Sequence, residues 1–274
     1  MSIQPCTRLL LAFAFVGLLD STAYAVDGVT LINQSNAIAG HVTPGDTPGF
    51  PVSINLPGIY KLSSNLVVPN QNTTAIQINV DNVTIDLNGF AILGPNVCPT
   101  DGVNVAQPCT NVSSSPFTVG MGIDAGTAVA FNVNNTRILN GTINGMGGIG
   151  VFANVNARIE NMNITSNGYY GIYTFGGEIV DTLVRGNGNT GILTTGAIIR
   201  SSRSIFNRGD GIDTTAVSVI TDSVIATNLT YGLNMSANTR FTNNVIYDNN
   251  GGTGNVQLIG GTAAGVNTCN FAAC

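Results

Sequence analysis

The sequence has one lysine, Lys61, and one histidine, His41, and charged residues make up only 8% of its 274 positions. Nine basic residues against fourteen acidic ones leave a net charge of −5. That balance excludes a nucleic-acid binder, because phosphates need basic neutralisation, and it argues equally against an anionic lipid surface as partner. No long stretch places strong helix formers and apolar residues at i, i+3, i+4 and i+7, so helical repeats are excluded. A leucine ladder is missing too, which removes the leucine-rich repeat. Asn, Ser, Thr and Gly do the solvating, and no low-complexity linker divides the chain into two domains.

What is present is a repeat. Gly followed by an aliphatic residue occurs at Gly150-Val151, Gly171-Ile172, Gly191-Ile192, Gly211-Ile212 and Gly232-Leu233, in steps of 21, 20, 20 and 21. Asn167, Asn187, Asn207 and Asn228 precede four of these glycines by four residues. A fixed period of this length means stacked units. Each unit holds two or three short β-prone runs separated by Gly, Asn, Ser and Asp turns, such as Arg158 to Ile164 and Glu178 to Val184. The pattern predicts an all-β chain folded as a right-handed parallel β-helix of about eight or nine coils, stacked at roughly 4.8 Å.

Residues 1–25 read as a secretory signal: Arg8, the apolar core Leu9 to Leu19, and Ala23-Tyr24-Ala25 as cleavage site. The core is too short to span a bilayer, so export without membrane insertion is expected, to the periplasm, the cell surface or the medium. Residues 26–60, rich in Pro and Gly turn signals, read as an N-terminal cap that covers the exposed strand edges of the end coil. The β-helix is expected over 61–260 and a tail over 261–274. Within it, 94–120 breaks the period with Pro95, Pro99, Pro108 and Pro116 and reads as a loop insertion. Four cysteines outside the signal allow three pairings. Nearness in sequence favours Cys98–Cys109 and Cys269–Cys274, and an oxidising compartment favours disulfides. No His or carboxylate cluster sits beside either pair, so no metal site is expected.

The Gly-Ile starts, the Asn before each turn, and the segment Val83-Thr84-Ile85-Asp86-Leu87-Asn88-Gly89-Phe90 resemble exported bacterial β-helix proteins of the pectate-lyase-like superfamily, over roughly Ile59 to Ile259. That resemblance implies the fold; one scaffold hosts unrelated activities. Set against the polygalacturonase-type motif Asn-Thr-Asp-Gly-x-Asp, the run Asp210-Gly211-Ile212-Asp213 matches the core, but no Thr precedes Asp210 and the next coil offers Tyr231-Gly232-Leu233-Asn234. His41 lies in the cap, outside any Gly-His-Gly, and the Asp/His cluster of uronate epimerases is missing. No cofactor is implied, with calcium relevant only to a lyase.

Strand alternation assigns faces. If Val151, Ile172, Ile192, Ile212 and Leu233 point inward, then Phe152, Tyr173, Leu193, Asp213 and Asn234 point outward, with Phe175 in the next outward column. Phe152, Tyr173 and Phe175 are then expected as an exposed aromatic patch beside Asp213, suited to sugar rings with apolar faces and polar rims. The alternative is that these rings lie under a loop. Asp210 and Asp213 are the best paired carboxylates for acid and base work, although Asp is also a routine turn residue. Arg137, Arg158 and Glu178 should stack as a surface ion pair. Arg200, Arg203 and Arg208 could meet an acidic sugar, and the asparagines read as a structural ladder. The leading reading is a non-catalytic β-helix that binds polysaccharide or cell-envelope glycan on one face. The alternatives are a polysaccharide lyase or glycoside hydrolase using Asp210 and Asp213, and a structural rod or adhesin. Oligomeric state is not encoded in any motif.

Overall fold

Short runs such as Ile172–Thr174 and Ile192–Thr194 are β-branched and alternate inward and outward, so each can bury one side only by lying on its copy one turn earlier. The computed structural model describes residues 28–98, 115, 117–126 and 133–274, and in it that stacking runs the length of the chain. A nine-stranded sheet carries one strand per turn, and an eighteen-stranded sheet carries the rest, giving nine turns of parallel β-solenoid. Along the smaller sheet, Val151, Ile172, Ile192, Ile212, Leu233 and Leu258 are successive parallel partners. The first five are buried, as the alternation predicts. Each such side chain contributes roughly 1.5–3 kcal/mol by leaving water.

The larger sheet folds into two faces. Strands Arg137–Asn144 and Arg158–Thr165 run through the fold; the first half of the second pairs with Gly177–Val180 and its second half with Leu183–Arg185. The crease is a column of left-handed residues, Asn88, Asn140, Asn161, Asp181, Ser201, Asp222 and Asn243, with φ between 48° and 61°. Asn and Asp tolerate this region better than other side chains, which is why the Leu-Asn-Gly phrase recurs at 87–89 and 139–141.

Strand pairing begins at Val29–Ile32, which lies against Gly58–Leu62. The stretch 26–60, predicted to be a cap, also supplies Val52–Ile54, paired with Ile76–Ile78, and a short helix, Gln34–Ala39. Asn33 and Asn36 close that helix reciprocally, each side-chain oxygen accepting from the other's backbone N–H. At the far end Thr262–Ala263 and Thr268–Cys269 continue the larger sheet, and Ala272–Ala273 turns back antiparallel. Cys269 and Cys274 are bridged, with Cα atoms 4.9 Å apart. Cys98 is buried. The expected signal sequence, Cys109 and most of the 94–120 insertion lie outside the described residues. Among the described residues no helix is long and apolar enough to cross a membrane.

Candidate functional site

The outward column of the nine-stranded sheet runs Phe152, Tyr173, Leu193, Asp213, Asn234 in register. Its first part is aromatic. Tyr173 stacks on Phe152 at 5.1 Å between ring centroids and leans on Phe175 at 5.1 Å. Tyr170 meets Tyr173 edge-on at 5.9 Å, and Tyr169 lies 4.5 Å from Tyr170. Offset and edge-on geometries of this kind add to the area buried. The expected exposure of Phe152 is corrected: its ring is 0% exposed. Phe117, from the described end of the insertion, covers it at 5.5 Å, and the ring fills the space over Gly126, where a Cβ would come within 2.4 Å of it. Phe152 is therefore the floor of the cluster. Tyr170, Tyr173 and Phe175 are its half-buried upper surface, and Phe117 forms an exposed rim.

The two carboxylates differ sharply. Asp210, just before Gly211, is buried, and both oxygens are occupied by the next turn. Oδ1 accepts from the Thr230 hydroxyl and from the Tyr231 N–H at 2.9 Å, and Oδ2 from the Asn234 amide at 3.0 Å. It staples two turns together. Asp213 is half-buried on the outward face, and among the described residues no hydrogen-bond or ion-pair partner engages its carboxyl. Burial, and then the charge of Asp210, push it up to about 6. Burial first, then Tyr169, Tyr173 and Asp213, also raise the phenol of Tyr170, so it is neutral beside the carboxyl.

Asp213 should therefore cost stability above its own titration. Its folded value of about 6 lies above that of an unfolded aspartate, so the folded chain holds a proton that the unfolded chain has released. Stability falls as pH rises from about 4 to about 6 and stays lowered above that. Asp213→Asn should be more stable than the parent at pH 7.5 by on the order of 1 kcal/mol, discounted for partial exposure, or about 2–4 °C in Tm. Thermal melts at both ends of that range check it: the gap should close near pH 4, and a gap independent of pH would refute the assignment.

The remaining polar candidates are structural. Asn167, Asn187, Asn207, Asn228 and Asn249 are fully buried, and each donates its side-chain amide and backbone N–H to the next oxygen, ending at Gln257. A second ladder, which no repeated residue type marks in the sequence, runs through Thr182, Ser202, Ser223, Asn244 and Asn267, where each backbone N–H bonds the next side-chain oxygen. Arg137, Arg158 and Glu178 do stack, and Glu160 and Arg200 join them in an alternating ion ladder on the larger sheet. Burial acts to raise Glu160, but hydrogen bonds from Arg158 and Arg137 and their charges outweigh it and hold the carboxyl below its ordinary value. Arg200 is thus engaged with Glu178 at 2.7 Å, and Arg203 lies on the larger sheet, so neither faces the aromatic cluster. Among the described residues no group of three or more His, Cys, Asp or Glu could hold a metal.

No family model and no curated protein sequence matches this chain. Among solved structures, the A-module of mannuronan C-5 epimerase AlgE6 from Azotobacter vinelandii is similar at 14% identity, over 76% of this chain and 68% of that one, with a TM-score of 0.37. What the face can do follows from its own side chains. It offers a firm aromatic platform and, farther along the same column, one unsatisfied carboxyl. Glycosidic hydrolysis asks for two working carboxyl groups, and Asp210 is committed to its three donors.

Proposed function

We propose that this protein binds polysaccharide or cell-envelope glycan along the outer face of the nine-stranded sheet, without transforming it. The observation that carries the reading is the Tyr173 ring, braced by Phe152 beneath and Phe175 beside it, each 5.1 Å from it and 5.9 Å from one another. A pyranose presents an apolar C–H face that stacks on such a ring, and the polar rim of the sugar can reach Asp213 and Asn234. The setting we propose is outside the cytoplasm, on the signal-like residues 1–25. Membership of the pectate-lyase-like superfamily is part of the same proposal and rests on the repeat motifs.

Titration calorimetry with a neutral glycan such as cellotetraose tests it. Tyr173→Ala should weaken binding about tenfold, the order expected from the lost burial and stacking, while leaving the fold intact. Binding unaffected by Tyr173→Ala would sink the stacking role, and no binding to any glycan tried would favour a structural rod. One observation favours a second reading, glycoside hydrolysis: an aspartate pushed up to about 6 is protonated enough near neutral pH to act as a general acid. Release of reducing ends from a glycan by the parent and not by Asp213→Asn would establish that reading instead.

A further inference from the structure

We propose that the preferred ligand of this face is an amino sugar polymer with free, protonated amines, its ammonium seated at Asp213 while another ring of the same chain stacks on Tyr173. This deepens the saccharide reading above and rests on it. Three observations support it. First, the Asp213 carboxyl is half-buried and has no partner among the described residues, a state that a ligand donor would relieve. Second, five of the eight described lysines and arginines are engaged elsewhere, and none forms an ion pair with Asp213. Lys61, Arg137, Arg158 and Arg200 all pair on the larger sheet, and Arg185 lies over Phe206 at 5.0 Å. Arg208 lies on the turn before Asp210 and forms an ion pair with neither aspartate.

Third, the other features of the face have the same sign. The charge of Asp210 is close enough to act on Asp213, and the π faces of Tyr170, Tyr173 and Phe175 are electron-rich, attracting cations and not carboxylates. A uronate ring would bring like charge against two aspartates. A neutral ring could offer hydroxyl donors to Asp213 but no charge to balance the desolvated carboxylate. An ammonium cancels that charge and supplies three donors. Register places Leu193 between Tyr173 and Asp213, so the stacking ring and the carboxyl are two strands apart, roughly 10 Å. That spacing suits alternate residues, i and i+2, of an oligosaccharide lying along the solenoid axis.

The test compares four tetrasaccharides on the full chain near neutral pH: the glucosamine tetramer, its N-acetylated counterpart, cellotetraose and tetragalacturonate. The glucosamine tetramer should bind about tenfold tighter than the acetylated and neutral ones, and tetragalacturonate weakest. Asp213→Asn should erase that preference, bringing the glucosamine tetramer within about twofold of cellotetraose on the same variant. Because this variant is expected to be at least as stable as the parent at pH 7, its loss of preference would not reflect unfolding. Asp213→Glu, which keeps the charge, should retain the order of affinities. Equal binding of the amine and acetylated tetramers, or a preference that survives Asp213→Asn, would overturn this inference while cellotetraose binding and its Tyr173 dependence left the saccharide reading standing. Absence of all binding would fell both.

Discussion

Gly211→Ala should destabilise the protein by about 3 kcal/mol, the upper part of the range for overpacking a rigid core, or about 6–12 °C in Tm for a chain of this size. A Cβ at Gly211 would lie 2.4 Å from Ile225 Cγ2, 2.6 Å from the Asn228 amide nitrogen and 2.6 Å from the Gly232 carbonyl oxygen. Two of these three neighbours cannot step aside. Gly232 is the next copy of the same glycine, held by the strand ladder, and Asn228 is locked in the buried amide ladder. The same holds one turn earlier, where a Cβ at Gly191 would meet Ser204, Asn207 and the Gly211 carbonyl within 2.8 Å. Gly254 is the control: nothing lies within 4 Å of its Cβ position, so Gly254→Ala should stay within about 0.5 kcal/mol of the parent. Urea unfolding of the two variants side by side decides the matter. Equal stability would mean the turns are not packed at this spacing.

Asn207→Ala should cost still more, about 3–5 kcal/mol. The change removes the oxygen that accepts the Asn187 N–H at 3.1 Å and the Asn187 amide at 2.9 Å, leaving two donors of a fully buried residue without an acceptor. Each such orphan costs about 1–3 kcal/mol, and the missing amide adds a cavity. Asn207→Asp separates the two halves of the effect. It keeps the acceptor but loses the 3.0 Å donation to Asn228 and places a charge where no water reaches. Burial raises the pKa of such an acid, so Asn207→Asp should be less stable at pH 7 than at pH 4, where the protonated acid can donate again. Denaturant midpoints at the two pH values are the readout. A variant unaffected by pH would show position 207 to be hydrated.

The repeat was visible because its cause is local and identical in every turn. Gly211 must be glycine for the reason Gly191 must, and Asn207 and Asn228 do the same work with the same side chain, so period and ladder could both be read from residue identity. The second ladder was hidden because its work is shared among different side chains: Thr182, Ser202, Ser223, Asn244 and Asn267 all present an oxygen to the neighbouring backbone N–H, and no single letter repeats. Glu160 was missed for a related reason. It lies two residues beyond Arg158, so it belongs to a different column, yet its side chain reaches across to both Arg137 and Arg158.

The site was only half readable. Alternation along the strand correctly put Tyr173 and Asp213 on one outward face, but alternation says nothing about what covers that face. Phe117 comes from an insertion that obeys no repeat, and its packing on Phe152 turns an expected contact residue into a foundation. Nor could spacing show that Asp210 and Asp213, three residues apart, have opposite fates: the donors that satisfy Asp210 are Thr230, Tyr231 and Asn234, on the following turn. With Asp210 occupied, Asp213 is the one of the pair whose carboxyl has no hydrogen-bond partner among the described residues.

A crystal structure of the protein grown with the glucosamine tetramer tests the central claim most directly. One sugar ring should lie over Tyr173 and Phe175, with an amine within hydrogen-bonding distance of an Asp213 oxygen. A tetramer lodged instead in the amide-lined groove of Asn88, Asn140, Asn161 and Asp181 on the larger sheet, with the aromatic face bare, would contradict it.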